Sequence, residues 1–465
     1  MGTSVVKPTS VLRAFRSRIA TYATIVEPHT RRLVLLACVA FFLQSAGTVE
    51  VVYTIRPSFA LLALASVVGF PFVWIGWSTV PRWVLWSGMA VVFVYALAAL
   101  GGSGTSLGIG RAGPERALVY LADLGVGLST FGLVVGLWGP GRSKASLLQA
   151  VFLCGALAGA YASYQWVAQK HGWPLSDILS VEDSNAFTTG GPQGTGVFGY
   201  ERVRGTFLEP HFLGAFLAVS LPLAVALWCD SDTRRRRWWV GAAASFMLFG
   251  LLFTASVPAW AILGVCGMLI LVPFFVLNGA SYAAGPAAAV LTMLLLAVPL
   301  TITYPGLLSN LTGRSAMDLD LTSTFRTETW RDSLEIWAQR PVLGYGPGQS
   351  AVQLTAKTAG PHGPGLASPQ GLWAAVLIDA GTLGLGCWAV LLGGLICYGI
   401  IGFGRDPTLF GGAIVAAALV AVSSGLMAGD RVELRTWVLL GLLTLIATPA
   451  ADRRAPVPLP GRSDV

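Results

Sequence analysis

Long apolar runs divide this chain of 465 residues into segments of membrane-spanning length. A helix needs about 20 apolar residues to cross a bilayer, and runs near that length recur along the whole chain. They lie at roughly 33–49, 58–80, 83–100, 118–138, 145–168, 207–228, 239–254, 259–277, 286–303, 372–402, 409–427 and 436–449. This pattern predicts an all-α polytopic membrane protein with about 12 transmembrane helices.

Two long polar segments interrupt the apolar runs, at roughly 169–206 and 304–369. Loops of this length are uncommon in a compact membrane domain unless they have a function of their own. We therefore expect the function of the protein to reside with these two segments.

The second polar segment contains an amphipathic pattern. In TFRTETWRDSLEIWAQR, residues 324–340, Trp330, Leu334 and Trp337 recur at helical spacing, and charged residues occupy the other faces. Pro341 follows and cannot continue the helix. Tryptophan at this spacing favours a helix along the outer membrane surface, because its ring prefers the headgroup level. The next residues, PVLGYGPGQS, predict a tight structural loop, since they lack the Gly-Lys-Ser/Thr ending of a nucleotide-binding loop.

Composition and charge add an orientation to this pattern. Of the residues, 54% are hydrophobic and 11% charged, and the mean hydropathy is +0.69. Short positively charged loops stay in the cytoplasm, so Arg234–Arg237, between the sixth and seventh runs, should face inward. This places both termini inside and both long polar segments outside. The other basic residues on the inner side are Arg13, Arg16, Arg18, Arg31, Arg32, Arg82, Arg142, Lys144, Arg405, Arg453 and Arg454.

This topology divides the chain into consecutive parts. The predicted parts are a cytoplasmic segment 1–32, transmembrane helices one to nine within 33–303, a large extracytoplasmic loop 304–369, helices ten to twelve within 370–450, and a cytoplasmic tail 451–465. A further outer loop, 169–206, lies within the second part. The first 30 residues lack the short apolar core and cleavage site of a signal peptide, so we expect the first span to be retained as an anchor.

The same observations exclude several classes of function. The net charge of +8 comes mostly from clusters beside membrane helices, so it does not indicate nucleic-acid binding. The six cysteines lie inside apolar runs or at a helix end, which argues against a disulfide framework. No HExxH motif, Cys/His pairing or carboxylate cluster at metal-ligand spacing occurs, so we expect no metal and no cofactor.

Ionisable residues gather where the first polar segment meets the sixth run, in ERVRGTFLEPH, residues 201–211. One interpretation of Arg202 and Arg204 is that they only anchor the helix end by reaching water. The other is that their guanidinium groups bind a diphosphate, because the fork of donors on arginine matches phosphate oxygens without a metal.

Glu209 and His211 lie just inside the same run, where an ionisable group costs several kcal/mol unless it is partnered or faces a wet cavity. An ion pair between Arg204 and Glu209 that stabilises the helix entrance is one explanation. The alternative is a proton acceptor for an incoming hydroxyl group. Asp123 and Asp379 are similar candidates inside other runs, although either could instead partner an arginine.

The large loop contributes two further candidates. Arg326 opens the amphipathic pattern, one turn before Trp330, whereas Arg331 and Arg340 are expected on its solvated face. His362 lies in the Gly/Pro-rich stretch AGPHGPGLASP, where it is either incidental or a proton acceptor.

Three stretches resemble the O-antigen ligase and polymerase superfamily, whose members transfer glycans from polyprenyl-diphosphate carriers at the outer face of the cytoplasmic membrane. The first is ERVRGTFLEPHFLGAFL, with arginine and Gly-Thr-Phe before a span. The second is TFRTETWRDSLEIWAQRPVLGYGPGQS, with an arginine, three residues and a tryptophan before a glycine-rich turn. The third is SPQGLWAAVLIDAGTLGLG, residues 368–386, which returns from the loop to the membrane. The resemblance covers roughly residues 30–450.

Two departures from the family pattern bear on function. Ligases of the family have a His-Asn pair at the start of the third stretch, where this chain has Gln370 and Gly371. The missing pair favours a polymerase over a ligase. The family also often has an arginine after a serine in the region that here reads TASVPAW, where Val257 follows Ser256.

The resemblance implies a GT-C-like, metal-independent glycosyltransferase that polymerises or ligates lipid-linked oligosaccharide in the cytoplasmic membrane of a bacterium. By it, Arg202 or Arg204, together with Arg326, would hold the lipid diphosphate. Glu209, then His211, then His362 are the candidate proton acceptors. The implied partners are a polyprenyl-diphosphate-linked glycan donor, a glycan or glycolipid acceptor, membrane lipids and other envelope-assembly proteins.

Two other functions fit part of the pattern. A flippase for lipid-linked glycans, or another secondary transporter, would place charged residues at mid-depth in several spans. The ionisable residues here instead gather near the predicted outer surface. A scaffold for envelope assembly without enzymatic activity would fit the loss of the His-Asn pair.

Overall fold

The computed structural model describes residues 8–41, 49–50, 54–55, 57–102, 113–139, 143–175, 202–207, 210–277, 316–358, 369–428 and 432–448. This part of the chain is helical, apart from a ribbon of two short antiparallel strands, β1 Val49–Glu50 and β2 Thr54–Ile55. The predicted helical architecture is confirmed for these residues, whereas the short ribbon was not predicted.

The helices follow the apolar runs. In chain order they are α1 Pro8–Ala40, α2 Pro57–Val68, α3 Phe70–Thr79, α4 Arg82–Gly102, α5 Gly113–Leu137, α6 Ala145–His171, α7 Pro210–Cys229, α8 Arg234–Phe253, α9 Val257–Leu277, α10 Ala316–Gln339, α11 Ser350–Thr358, α12 Leu372–Trp388, α13 Gly394–Arg405, α14 Leu409–Ala428 and α15 Leu434–Ala447. A five-residue π-helical turn, Ala389–Gly393, joins α12 to α13.

Within the described part, six helices are long and apolar enough to cross a membrane, or seven if the bent pair α2 and α3 is one span. A multi-pass membrane protein is thereby supported. The first predicted span, 33–49, overlaps only the end of α1, which begins at Pro8. The predicted span 286–303 lies outside the described residues.

The second predicted span, 58–80, is not one straight helix. It breaks at Gly69 into α2 and α3, which meet at 82°. Pro71 follows in the first turn of α3 and has no N–H to continue the helix of α2. Gly69 itself packs tightly, since a Cβ there would lie 2.5 Å from Thr30 Cγ2 and 2.9 Å from Leu133 Cδ2.

Antiparallel packing gives the bundle two distinct ends. Helix α7 runs antiparallel to α6, because Gln165 in the second half of α6 contacts Gly205 just before α7, whereas the earlier Gly155 lies against Ser220, farther along α7. Helix α8 starts with Arg234–Arg237 directly after α7, and Arg405 ends α13 just before α14. We call this the basic end. The opposite end, where α7 starts and where α10 and α11 lie, is the loop end.

Helix α7 lies at the centre of the bundle. Of its most apolar 18-residue window, 78% is buried, the largest share among the six candidate spans. Helices α6, α8 and α14 all pack against it. The start of the helix is less enclosed, since Pro210, His211 and Phe212 are only half-buried.

Candidate active site

The segment Arg202–Phe207 leads into α7 and is pinned to the end of α8. The Arg202 Nε donates to the carbonyl oxygen of Thr254 at 2.7 Å, and its Nη2 donates to that of Ala255 at 3.5 Å. The backbone N–H of Val203 donates to the Phe253 carbonyl at 3.2 Å. Arg202 thereby brings a guanidinium to TASVPAW, the stretch in which Val257 stands where the family pattern has an arginine.

The same segment is fixed from its other side by α6. The buried Gln165 Oε1 accepts hydrogen bonds from the backbone N–H groups of Arg204, at 3.2 Å, and Gly205, at 2.8 Å. Gly205 has φ +60°, a conformation that favours glycine. The Phe207 N–H then closes the turn on the Arg204 carbonyl at 3.0 Å. Arg204 is consequently held, half-buried, at the entrance of α7.

His211 lies in the first turn of α7 and lines a small, partly open cavity between α7, α12, α14 and α15. The cavity has a volume of about 30 Å³. The lining is mostly apolar, and it includes polar side chains of α14 and of the start of α15, namely Ser424, Glu433, Arg435 and Thr436. A cavity of this size holds one or two water molecules.

Arg435 is the most deeply buried cation of this cavity, with 6% of the residue exposed. Its Nε lies 2.5 Å from Glu433 Oε2, and its guanidinium lies over the Phe216 ring, 5.1 Å from the centroid. Within the described part of the chain, its Nη1 is buried without a hydrogen-bond partner. Buried polar atoms are seldom left unpaired in native proteins, so Nη1 of Arg435 is a candidate for binding a ligand.

Sequence reasoning missed Glu433 and Arg435. The available signal was a cluster of charges, in DRVELR at residues 430–435, directly before the last apolar run. An ionisable group at such a position is costly unless it has a partner or a wet cavity. The same argument had singled out the start of α7 and applies equally to the start of α15.

The helix predicted at 324–340 is confirmed as part of α10, which ends at Gln339. The Trp330 Nε1 donates to the Gln370 carbonyl at 2.6 Å, and the Trp330 ring meets Trp373 edge-on with centroids 5.8 Å apart. The Trp337 Nε1 donates to the Pro341 carbonyl at 3.1 Å. The contacts of Trp330 dock α10 on the start of α12, whereas that of Trp337 fixes the turn after α10. Arg326, one turn before Trp330, is half-buried on the same face as that docking tryptophan.

Leu334, which belongs to the predicted apolar stripe of α10, is 44% exposed and does not pack into the protein. The buried face is formed instead by Thr329, Ser333 and Ile336. Ser333 can be buried there because its hydroxyl donates to the Thr329 carbonyl at 2.7 Å. Small side chains that satisfy their own hydroxyl groups thus bring α10 close to its neighbour.

The glycine-rich turn after α10 wraps around Asp379, as expected for a structural loop. Gly344, Gly346 and Gly348 all have positive φ. The fully buried Asp379 accepts the N–H of Gly348 on Oδ2 at 2.9 Å and that of Ser350 on Oδ1 at 2.6 Å. Asp379, an intramembrane candidate by sequence, therefore caps the start of α11.

Helix α11 is held to α10 by an ionic network. The Lys357 Nζ lies 3.0 Å from Asp332 Oδ1 and 2.5 Å from Glu335 Oε2, and Arg331 also pairs with Glu335 at 3.1 Å. Hydrogen bonds from Lys357 and Arg331 lower the pKa of Glu335. Burial lowers the pKa of Lys357, but hydrogen bonds to Glu335 and Asp332 outweigh it and the net change is upward.

Four of the six predicted site residues, Arg202, Arg204, His211 and Arg326, lie at the loop end, on three different elements. Glu209 and His362 lie outside the described residues. The structure places His211 in a cavity with Glu433 and Arg435 that the sequence did not suggest. Among the described residues, no group of three or more His, Cys, Asp or Glu could hold a metal ion.

Comparison with known proteins bears on this geometry. No curated protein matches the chain. The model of the O-antigen ligase family matches residues 242–389, which run from α8 through α10 and its glycine-rich turn to the junction after α12. The second and third stretches that carried the predicted resemblance both lie inside this match. This part of the chain is therefore similar to that family, which supports the predicted resemblance to the O-antigen ligase and polymerase superfamily.

Proposed function

We propose that the protein is a glycosyltransferase that polymerises or ligates lipid-linked oligosaccharide, with a polyprenyl-diphosphate glycan as donor. The observation that supports this proposal is the presence of arginine side chains on two elements at the loop end. Arg204 is held at the entrance of α7 by Gln165, and Arg326 stands on the helix that docks on α12. Loss of the family's His-Asn pair at Gln370 and Gly371 favours chain extension over transfer to a separate lipid.

The chemistry assigned to these groups is charge stabilisation. The sugar is attached to the diphosphate through its anomeric carbon, so the leaving group departs with negative charge. Arg204 and Arg326 hold that charge in our proposal, and Arg202, which also clamps α8, contributes to the same site. Positioned cations at a developing charge are a large source of rate acceleration, and no metal is needed for it.

An acceptor hydroxyl must attack the anomeric carbon and lose its proton. His211 is the candidate proton acceptor that we place nearest the reaction, since it lines a cavity at the start of α7 together with Glu433 and Arg435. Glu209 and His362 remain candidates by sequence. The donor lipid lies in the bilayer beside the loop end, and the acceptor is a glycan or glycolipid that reaches the same end.

The proposed architecture is GT-C-like, with about 12 spans in the cytoplasmic membrane of a bacterium. The basic end, with Arg234–Arg237 and Arg405, faces the cytoplasm, because positively charged connections are retained there. The loop end then faces outward. Other envelope-assembly proteins would deliver the donor or receive the product on that side.

The test uses the purified full-length protein in lipid nanodiscs, given a polyprenyl-diphosphate oligosaccharide. Products lengthened by whole repeats would indicate a polymerase, and transfer to a separate acceptor would indicate a ligase. A transporter would leave the glycan length unchanged, which would refute the proposal.

An arginine variant and a matched control test the site itself. Arg326→Ala should reduce transfer by about 100-fold or more, because it removes a charge-assisted contact to the leaving group. Arg331→Ala, on the same helix, removes an arginine whose side chain is 80% exposed and should leave transfer nearly unchanged. Equal effects of the two substitutions would contradict the assigned role of Arg326.

A further inference from the structure

The cavity between α7, α12, α14 and α15 has a chemical character that the proposed diphosphate site does not use. It contains one fixed cation, Arg435, and one carboxylate, Glu433, paired at 2.5 Å. Two further polar atoms, Arg435 Nη1 and Ser424 Oγ, are buried without a hydrogen-bond partner in the described part of the chain. Both are on side chains that line the cavity.

These groups select the kind of ligand that fits. The carboxylate of Glu433 would repel an anion such as a phosphate, and the guanidinium of Arg435 would repel a cation. The ligand must accept a hydrogen bond from Nη1 and also be able to donate one. A hydroxyl group meets both requirements, because it carries two acceptor lone pairs and one donor.

Size leads to the same conclusion. The volume of about 30 Å³ admits one or two water-sized groups. A whole phosphate group with its four oxygens is too large for this space. A single hydroxyl on a sugar ring can enter it while the ring stays at the open side.

We propose that this cavity is the subsite that binds the acceptor hydroxyl, with Arg435 donating to its oxygen and Ser424 and Glu433 setting its orientation. The inference rests on the proposed glycosyltransferase function and adds where the acceptor binds. His211 lies in the same lining, so the bound hydroxyl and the proposed proton acceptor share one cavity. Arg435, Ser424 and Glu433 then determine which acceptor the protein binds.

The experiment measures transfer by the full-length protein in nanodiscs, with the lipid-linked repeat unit from cells that make this protein as donor. Soluble repeat-unit glycans serve as acceptors, together with monodeoxy analogues that each lack one hydroxyl. Arg435→Met should raise the KM for the acceptor by about 10- to 100-fold, and Ser424→Ala by about 3- to 10-fold. The KM for the donor should change less than about twofold for both.

The deoxy analogues give a signature that a structural role would not produce. Wild-type protein should reject the one analogue that lacks the bound hydroxyl, since its absence leaves buried polar groups unpaired. Arg435→Met should largely lose this discrimination. Ser423→Ala, on the neighbouring residue that does not line the cavity, is the matched control and should retain it.

Several outcomes would overturn the inference. If wild-type protein transfers glycan but Arg435→Met and Ser424→Ala keep the acceptor KM and the discrimination, the cavity holds a structural water only. If Arg435→Met does not fold, Ser424→Ala alone decides, because it removes one hydroxyl and no charge. If wild-type protein transfers no glycan, the proposed function fails first and the acceptor subsite fails with it.

Discussion

Removing the carboxylate of Asp379 should release the glycine-rich turn and α11 from α12. Asp379 is fully buried and accepts two backbone N–H groups, from Gly348 and Ser350. Hydrogen bonds to a charged group contribute about 1.5–3 kcal/mol each. Asp379→Ala should therefore cost about 3–6 kcal/mol of stability, because both donors lose their partner inside the protein.

Asp379→Asn offers a graded version of the same change. Its amide oxygen can still accept one N–H, but its amide nitrogen would face the other donor. We expect about half the loss, about 1.5–3 kcal/mol. Asp332→Asn is the control, since Asp332 is partly exposed and meets Lys357 on the surface of α10, where ion pairs contribute little.

The assay is hydrogen exchange at residues 342–358, read alongside thermal unfolding in detergent. Exchange of this segment should accelerate in the order Asp332→Asn, Asp379→Asn, Asp379→Ala, with the global unfolding temperature falling in the same order. If Asp379→Ala exchanged like wild-type protein, the carboxylate would not hold the turn. The assignment of Asp379 to structure rather than to catalysis would then be wrong.

Three further predictions test neighbouring parts of the account. Gly344→Ala should lower the unfolding temperature, because Gly344 has φ +66° and a Cβ would lie 2.4 Å from the Ile378 carbonyl oxygen. Gly386→Ala is the control and should leave the unfolding temperature unchanged, because a Cβ there would meet no atom within 4 Å. Gln165→Met should cost about 2 kcal/mol or more by leaving the N–H groups of Arg204 and Gly205 unpaired, and calorimetry against the exposed Gln149→Met checks this. The contact of α11 with α10 should weaken as pH falls. The pKa of Glu335 is lowered in the folded protein, so its ionised carboxylate stabilises this contact fully above the unfolded-state pKa. That stabilisation is lost as the pH falls through the folded-state pKa. Proteolytic cleavage near α11 should rise at acid pH in wild-type protein, and a Glu335→Gln variant that still showed the full rise would refute the role of this carboxylate.

The lengths of the apolar runs were enough to predict most of the bundle, because a helix that crosses a membrane must be predominantly apolar over about 20 residues. Helices α4, α5, α6, α7 and α14 follow the predicted runs closely. The start of α1 at Pro8 was missed because residues 8–32 are too polar to be recognised as part of an apolar run. The break at Gly69 was signalled locally by Gly69 and Pro71, but a run of apolar residues around it outweighed that signal.

The candidate site was predicted only in part, because sequence gives the charge at a helix end and not its neighbours. Arg204, His211 and Arg326 could be named from charges at membrane entrances and from the resemblance. The cavity lined by Glu433 and Arg435 depends on α15 returning beside α7, which is a tertiary contact. The buried face of α10 was missed because Ser333 satisfies its own hydroxyl within the helix.

The central claim is that a lipid-linked diphosphate binds at the loop end of the bundle. Its most direct test is photo-crosslinking of the full-length protein in nanodiscs with a polyprenyl-diphosphate glycan that carries a photoreactive group next to the diphosphate, followed by peptide mapping. We expect crosslinks within residues 202–211 and around Arg326, suppressed by excess unlabelled donor. Competable crosslinks confined to the basic end, at Arg234–Arg237 or Arg405, would contradict the account.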